Sequence, residues 1–203
     1  LAEHYPLRYL PSLQVLRLIR ERIHPAQQGP GCIIANPCGD LNGAEAESQT
    51  VHELRQRQDT FLRREQAPLA TVSPLLNQAQ HSHFSCHGYY ARDLQAGLML
   101  ADGNLTAKDL FSKIRLANPQ LVVMSACETA QLQPTLADEY MGLASSFLYA
   151  GAHTVLATQW RVNDFSSRLL IEDFYQGIID GLSPILALQQ AQGKLKQMPR
   201  EEV

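Results

Sequence analysis

The chain has 203 residues, 45% of them hydrophobic and 18% charged, with a formal net charge of -3 at neutral pH. That composition belongs to a globular chain able to bury a sizeable core, and it excludes a disordered segment. The weak acidity gives no electrostatic basis for direct binding of nucleic acid or of an anionic membrane, and there is no run of 18 apolar residues to span one.

In chain order, the opening "LAEHYPLRYL" carries no initiating Met, which suggests a piece of a longer protein. "LPSLQVLRLIRERI" predicts a first helix capped by Ser12 and ended near His24-Pro25. "GCIIAN" (31–36) is a short β-branched strand stopped by Pro37 and Gly39. The stretch 44–58 predicts a polar-faced helix, and the arginines at 55, 57, 63 and 64 fit a solvated face better than a nucleic-acid patch. "LATV" suggests a second strand, followed by a short helix with Ser73 as N-cap and Pro74 at its first position.

"HSHFSC" (81–86) predicts a third strand. "GLML" and "NLTAKDL" flank Asp102-Gly103 as a hairpin leading into a helix, with Thr106 and Asp109 spaced as a capping pair. "QLVVMSA" is a fully apolar strand, 138–149 a helix ended by "AGA", and "HTVLATQW" another strand. Helices over 164–179 and from Ser183-Pro184 onward close the chain. Strands alternate with helices and the central strands are apolar on both faces. The expected fold is α/β, with a mainly parallel central sheet covered by helices on both sides in three layers.

In such sheets, sites form beyond the carboxyl ends of the strands. The strand 81–86 delivers His87-Gly88, the strand 120–126 delivers Cys127, and the strand 153–160 leads to "RVND" and Asp164. A thiol, an imidazole and a carboxylate therefore gather at one edge. Each has a plainer use. A cysteine at a strand end is commonly a small buried hydrophobe, Asp164 is well placed to cap its helix, and Trp160 suits packing. His81, His83 and His87 share a face at period two, but neighbours ~6.6 Å apart along a strand make an awkward zinc cage, so no metal is expected. His81 and His83 are read as structural hydrogen-bonders. Gly88 would let a substrate carbonyl approach its N–H.

The four cysteines, Cys32, Cys38, Cys86 and Cys127, show no disulfide framework and no C-x-x-C, which points to a reducing, cytoplasmic setting. Neither G-x-G-x-x-G after the first strand, nor G-x-x-x-x-G-K-[ST], nor G-x-S-x-G is present, so no organic cofactor is called for.

"HFSCHG", "LVVMSACETA", "EYMGLASSFLYAGAHTVLATQWRVND" and "SPILALQQAQ" together resemble a CHAT domain, the caspase- and separase-related peptidase domain often attached to tetratricopeptide repeats. The resemblance spans nearly the whole chain and implies one caspase-like domain over 1–203, the C-terminal part of a longer protein. By position it puts a catalytic dyad on His87 and Cys127, with the Gly88 and Cys127 N–H groups at the oxyanion. It also makes Asp164 the counterpart of the aspartate that recognises a basic residue before the cut bond in separase. The caspase form Q-A-C-x-G is absent, so cleavage after aspartate is not implied.

The activity so implied is a cysteine endopeptidase cutting protein substrates after Arg, then Lys, under control of a helical-repeat region in the same parent chain or a partner. Two other readings of the residues stand beside it: a catalytically silent CHAT-like interaction module, and a redox-sensing thiol at Cys86 or Cys127. The residues do not assign a carboxylate that would orient His87.

Overall fold

The computed structural model describes residues 5–21, 30–89, 94–116, 121–126, 142–158 and 164–198. Eight strands among them are β1 (Gly31–Ala35), β2 (Thr60–Arg63), β3 (His81–Ser85), β4 (Gly88–Tyr89), β5 (Gly97–Met99), β6 (Asn104–Thr106), β7 (Leu121–Ser125) and β8 (Thr154–Ala157). The helices are α1 (Leu13–Glu21), α2 (Asn42–Leu54), α3 (Leu69–Gln78), α4 (Ala107–Ser112), α5 (Gly142–Ala150), α6 (Asp164–Ile179) and α7 (Pro184–Gln197).

Five strands form one parallel sheet in the order β2-β1-β3-β7-β8, and β4-β5-β6 form a small antiparallel sheet beside it. The pleat divides the side chains of the large sheet. Cys32, Ile34, Phe84, Cys86, Val122, Met124 and Ala126 enter a core with Val72 and Leu76 of α3, Leu110 of α4 and Phe147 of α5. Ile33, Leu121 and Val123 enter a second core with Val51 of α2, Ile171 and Phe174 of α6, and Ala187 of α7. Helices therefore cover both faces, the three-layer α/β arrangement expected from the doubly apolar strands.

Several local signals act as anticipated. The Ser12 hydroxyl accepts from the Val15 N–H at 3.3 Å and starts α1. Thr106 and Asp109 form a reciprocal capping box, with the Asp109 N–H donating to Thr106 Oγ1 at 3.1 Å and the Thr106 N–H to Asp109 Oδ2 at 3.2 Å. Helix α5 stops at Gly151, whose φ of +131° and approach to the Leu116 carbonyl leave no room for a Cβ.

Two linked assignments fail, the strand at "LATV" and Ser73 as the N-cap of the helix after it. "LATV" is not a strand but the first turn of α3, which begins one residue after Pro68 and runs through Ser73-Pro74. Val72 and Leu76, four apart, are both buried, so the helical period decides, and Pro74 inside the helix forgoes only its bond to the Ala70 carbonyl. The second strand is β2, whose short edge position leaves Thr60 and Arg63 exposed and gives no apolar run to recognise.

The face carrying α2 and α6 also buries a polar chain. The Tyr175 hydroxyl lies 2.6 Å from His81 Nε2 and 3.1 Å from His83 Nδ1, and His83 Nε2 lies 3.1 Å from Glu47 Oε1. Asp59 accepts from Gly31 N–H at 2.8 Å, and Arg55 pairs with it. Burial pushes His81 well below the usual histidine range, with Arg55 and His83 acting in the same direction. It also pushes Tyr175 well above the usual phenol range.

This burial predicts a pH dependence of stability. The unfolded chain takes up a proton at His81 near pH ~6.5 that the folded chain refuses, so stability is full above that pH and is lost as the pH falls toward the folded value. Chemical denaturation between pH 8 and pH 5 should show stability falling below pH ~6.5 by up to about 1.4 kcal/mol per pH unit for this one group. His81→Gln, which can still donate to Tyr175, should remove that share of the slope. An unchanged slope would contradict the assignment.

Candidate functional site

The strand order reverses at β1: the chain steps to β2 on one side, then returns to β3 on the other. The segment after β1 leads to α2 on one face, while the segment after β3 leads through the small sheet and α4 on the other. Loops that part in this way leave a crevice at the carboxyl ends of the strands.

The loop after β1, "NPCGDL", is closed by Asn36. This buried residue has φ of +47°, a left-handed conformation that asparagine tolerates better than most. Its N–H donates to the Ser85 carbonyl at 2.8 Å, and its carbonyl accepts from Gly39 at 3.0 Å. Its side chain donates to Glu45 Oε1 at 2.9 Å and accepts from the Leu41 N–H at 3.0 Å. Glu45 also accepts from Arg64 at 2.7 Å, and Arg64 and then Asn36 hold its carboxyl below the usual range. The turn so fastened presents Asp40.

His87 follows β3 by two residues, outside the strand and so off the regular pleat that carries His81 and His83. Its carbonyl accepts from the Met99 N–H at 2.8 Å, which ties it to β5. Its Nε2 lies 3.0 Å from both Asp40 carboxylate oxygens. The imidazole is 25% exposed and the carboxylate 60%. A donated Nε2–H fixes the ring orientation and the tautomer, which leaves Nδ1 as the nitrogen able to take a proton. The Met99–His87 bond also makes Gly88 and Leu98 a non-hydrogen-bonded pair, so the Gly88 N–H is directed away from β5.

Beside β3, strand β7 runs in parallel with Ser85 opposite Ser125. Ala126, the last described residue of this segment, is buried, and its carbonyl accepts from Thr158 Oγ1 just after β8 at 3.0 Å. Cys127, with its N–H, and Trp160 lie outside the described residues. The backbone of Asp164 opens α6, and its side chain also lies outside the description.

The remaining thiols differ in kind. Cys86 is buried, and desolvation pushes its thiol well up, which disfavours the thiolate needed for redox sensing there. Burial pushes Cys32 up to about 11. Cys38 is exposed and raised, by burial first and then by Asp40. His81 and His83 are engaged with Tyr175 and Glu47, so the three strand-side histidines do not converge. Among the described residues no group of three or more metal-ligating side chains comes together.

Asp40 is the contribution that the sequence left unassigned. Its only linear signal is a polar turn after the first strand, because its partner lies 47 residues away.

The chain matches the CHAT domain over residues 1–202. A stretch of 87 residues, 43% of this chain, is 37% identical to mouse tetratricopeptide repeat protein 28, of whose length it covers 3%. With its family pattern matched from end to end and a caspase-like parallel sheet beneath it, the chain belongs to the CHAT domain family.

Proposed function

We propose that this chain is a cysteine endopeptidase of the caspase and separase type, acting through Cys127 and His87 on protein substrates. The observation that carries the reading is the Asp40–His87 pair at the strand-order reversal, beside the strand whose sequence continues into Cys127. A solvated histidine with one nitrogen engaged by a carboxylate and the other left for a proton is the arrangement a general acid–base needs.

In the proposed reaction the Cys127 thiol gives its proton to His87 Nδ1 and the sulfur attacks the peptide carbonyl carbon. The Gly88 and Cys127 N–H groups stabilise the tetrahedral oxyanion. As the C–N bond breaks, His87 returns the proton to the leaving amine, leaving a thioester on Cys127. Water then attacks the thioester, giving its proton to His87, and the released thiolate regains it. Asp40 holds the His87 ring in one orientation through both halves, at a strength limited by its exposure to solvent.

Asp164 is proposed to receive the side chain before the cut bond. A guanidinium can meet a carboxylate through two parallel hydrogen bonds and an ammonium cannot, so Arg should precede Lys. A helical-repeat region, in the same parent chain or a partner, is proposed to govern the site. The similarity to a tetratricopeptide repeat protein supports that association.

A peptidyl acyloxymethyl ketone ending in arginine tests the reading. It should label the protein once, on Cys127, in the presence of the repeat region. Cys127→Ala should abolish the label and Cys86→Ser should keep it. A folded protein with no Cys127-dependent label under either condition would leave a binding module in place of an enzyme.

Asp40→Asn should lower kcat about tenfold, equivalent to about 1.4 kcal/mol of barrier, with little change in KM. Unchanged kcat would remove Asp40 from the machinery.

Asp164→Asn should leave thermal stability nearly unaltered while costing arginine substrates roughly 2 kcal/mol or more of transition-state stabilisation. Cleavage after arginine at the parent rate would reduce Asp164 to a helix-start residue.

A further inference from the structure

We infer that Glu47 is a positioning residue for the nucleophile strand, holding the carboxyl end of β7 through Ser125 and so setting Cys127 against His87. The inference rests on the peptidase reading above and extends it to a residue outside the dyad.

Glu47 is buried in α2, and both of its carboxylate oxygens are used. Oε2 accepts from the Ser125 hydroxyl at 2.9 Å, and Oε1 faces His83 Nε2 at 3.1 Å. A buried carboxylate demands donors, and here β7 supplies one and β3 the other. The two strands that lead to Cys127 and His87 are thus clamped by one side chain, two and four residues before those positions. Ser125 is where this matters. The ladder to β8 ends at Met124 with Ala157, and beyond Met124 the lateral supports include the Ser85 register, the Thr158–Ala126 bond and Glu47.

The hydrogen-bond directions agree along the whole chain. With the Glu47 carboxylate accepting from Ser125 on one oxygen and from His83 on the other, His83 carries its proton on Nε2. His83 Nδ1 then accepts from the Tyr175 hydroxyl, and Tyr175 accepts from His81 Nε2–H. His81 Nδ1 is left as a lone pair, and it is, with His52 Nδ1, a buried ring nitrogen without a hydrogen-bond partner, 3.9 Å from Asp59, which pairs with Arg55. One sense of donation therefore joins residues from α2, β3, α6 and β7.

The same helix fastens the other half of the site. Glu45 holds Asn36, which closes the loop presenting Asp40 to His87. Helix α2 is accordingly the frame for both halves, through Glu45 on one side and Glu47 on the other.

The test is the rate of Cys127 alkylation by iodoacetamide in the full chain, followed by mass spectrometry of the Cys127 peptide from pH 5.5 to 9. A thiol paired with an imidazole reacts well below the pH of an ordinary thiol, ~8.5. Ser125→Ala and Glu47→Gln should each lower the rate at pH 6.5 by about tenfold or more and move the profile toward ~8.5, because small misplacements of reacting groups are costly. Ser125→Thr, which keeps the donor, should retain the parent profile. A parent-like profile in both Ser125→Ala and Glu47→Gln, or loss in Ser125→Thr as complete as in Ser125→Ala, would overturn the positioning role alone. An ordinary-thiol profile in the parent itself would instead remove the Cys127–His87 pairing, and the peptidase reading with it.

Discussion

Parallel strands cannot be joined by tight turns, and this constraint organises the molecule. Each crossover must travel over one face of the sheet, so the chain has to choose a face every time it leaves a strand. After β1 it takes the face of α2, and after β3 it takes the face of α4. Because β1 and β3 are neighbours, exits taken over opposite faces diverge and leave a gap at their carboxyl ends. The carboxylate at the end of one exit and the imidazole at the start of the other meet across that gap. Asp40 and His87, 47 residues apart, touch because of strand order and not because of anything local to either.

The two faces of the sheet meet their burial demands differently. On the side of α3, α4 and α5 the core is mainly apolar, with Phe84 against Phe147 and the small sheet folded over it, and the hydroxyls of Ser82 and Ser146 buried among these side chains. On the side of α2 and α6, Glu47, His83, His81 and Tyr175 lie among aliphatic residues, and each such group would cost on the order of a few kcal/mol if left without a partner. A hydrogen-bonded chain of this kind tolerates one geometry, since each member needs its neighbours at the correct distance and with the correct proton. The polar face is thus the one that resists small displacements, and it is the face from which the Asp40 loop enters α2. Apolar packing supplies the bulk of the stability, while the polar chain selects the alignment.

What was legible in the sequence divides along the same line. Strands β1 and β7 were recognisable because both of their faces are mainly apolar, and α1, α4, α6 and α7 because Ser12, Thr106 with Asp109, Asp164 and Ser183-Pro184 mark their starts locally. Strand β2 escaped because an edge strand of four residues with Thr60 and Arg63 exposed carries no period-two signal, and "LATV" looked like a strand because its β-branched content outweighed the four-residue spacing of Val72 and Leu76. His87 could be singled out from its place at a strand end. Asp40, Glu47 and Ser125 could not, since their meaning lies in contacts across 47 and 78 residues that only the topology creates.

The pleat also bears on which thiol can serve. Even-numbered positions of β3 and β7, Phe84, Val122 and Met124, face the apolar core, and Cys86 and Ala126 continue that parity into it. Odd-numbered positions, His81 and His83 on β3 and Ser125 on β7, face α2 and α6. His87, odd-numbered but past the end of β3 and its pleat, meets Asp40 in the loop that becomes α2. In sequence, Cys127 is odd as well, and it stands as far beyond Ser125 as His87 stands beyond Ser85, its register partner. Cys86 has the opposite parity, no exposure and a thiol driven well above the ordinary range by burial. A nucleophile needs a thiolate within reach of both solvent and imidazole. The proposal therefore rests on Cys127, and its closeness in sequence to Ser125 is what gives the Glu47 clamp something to position.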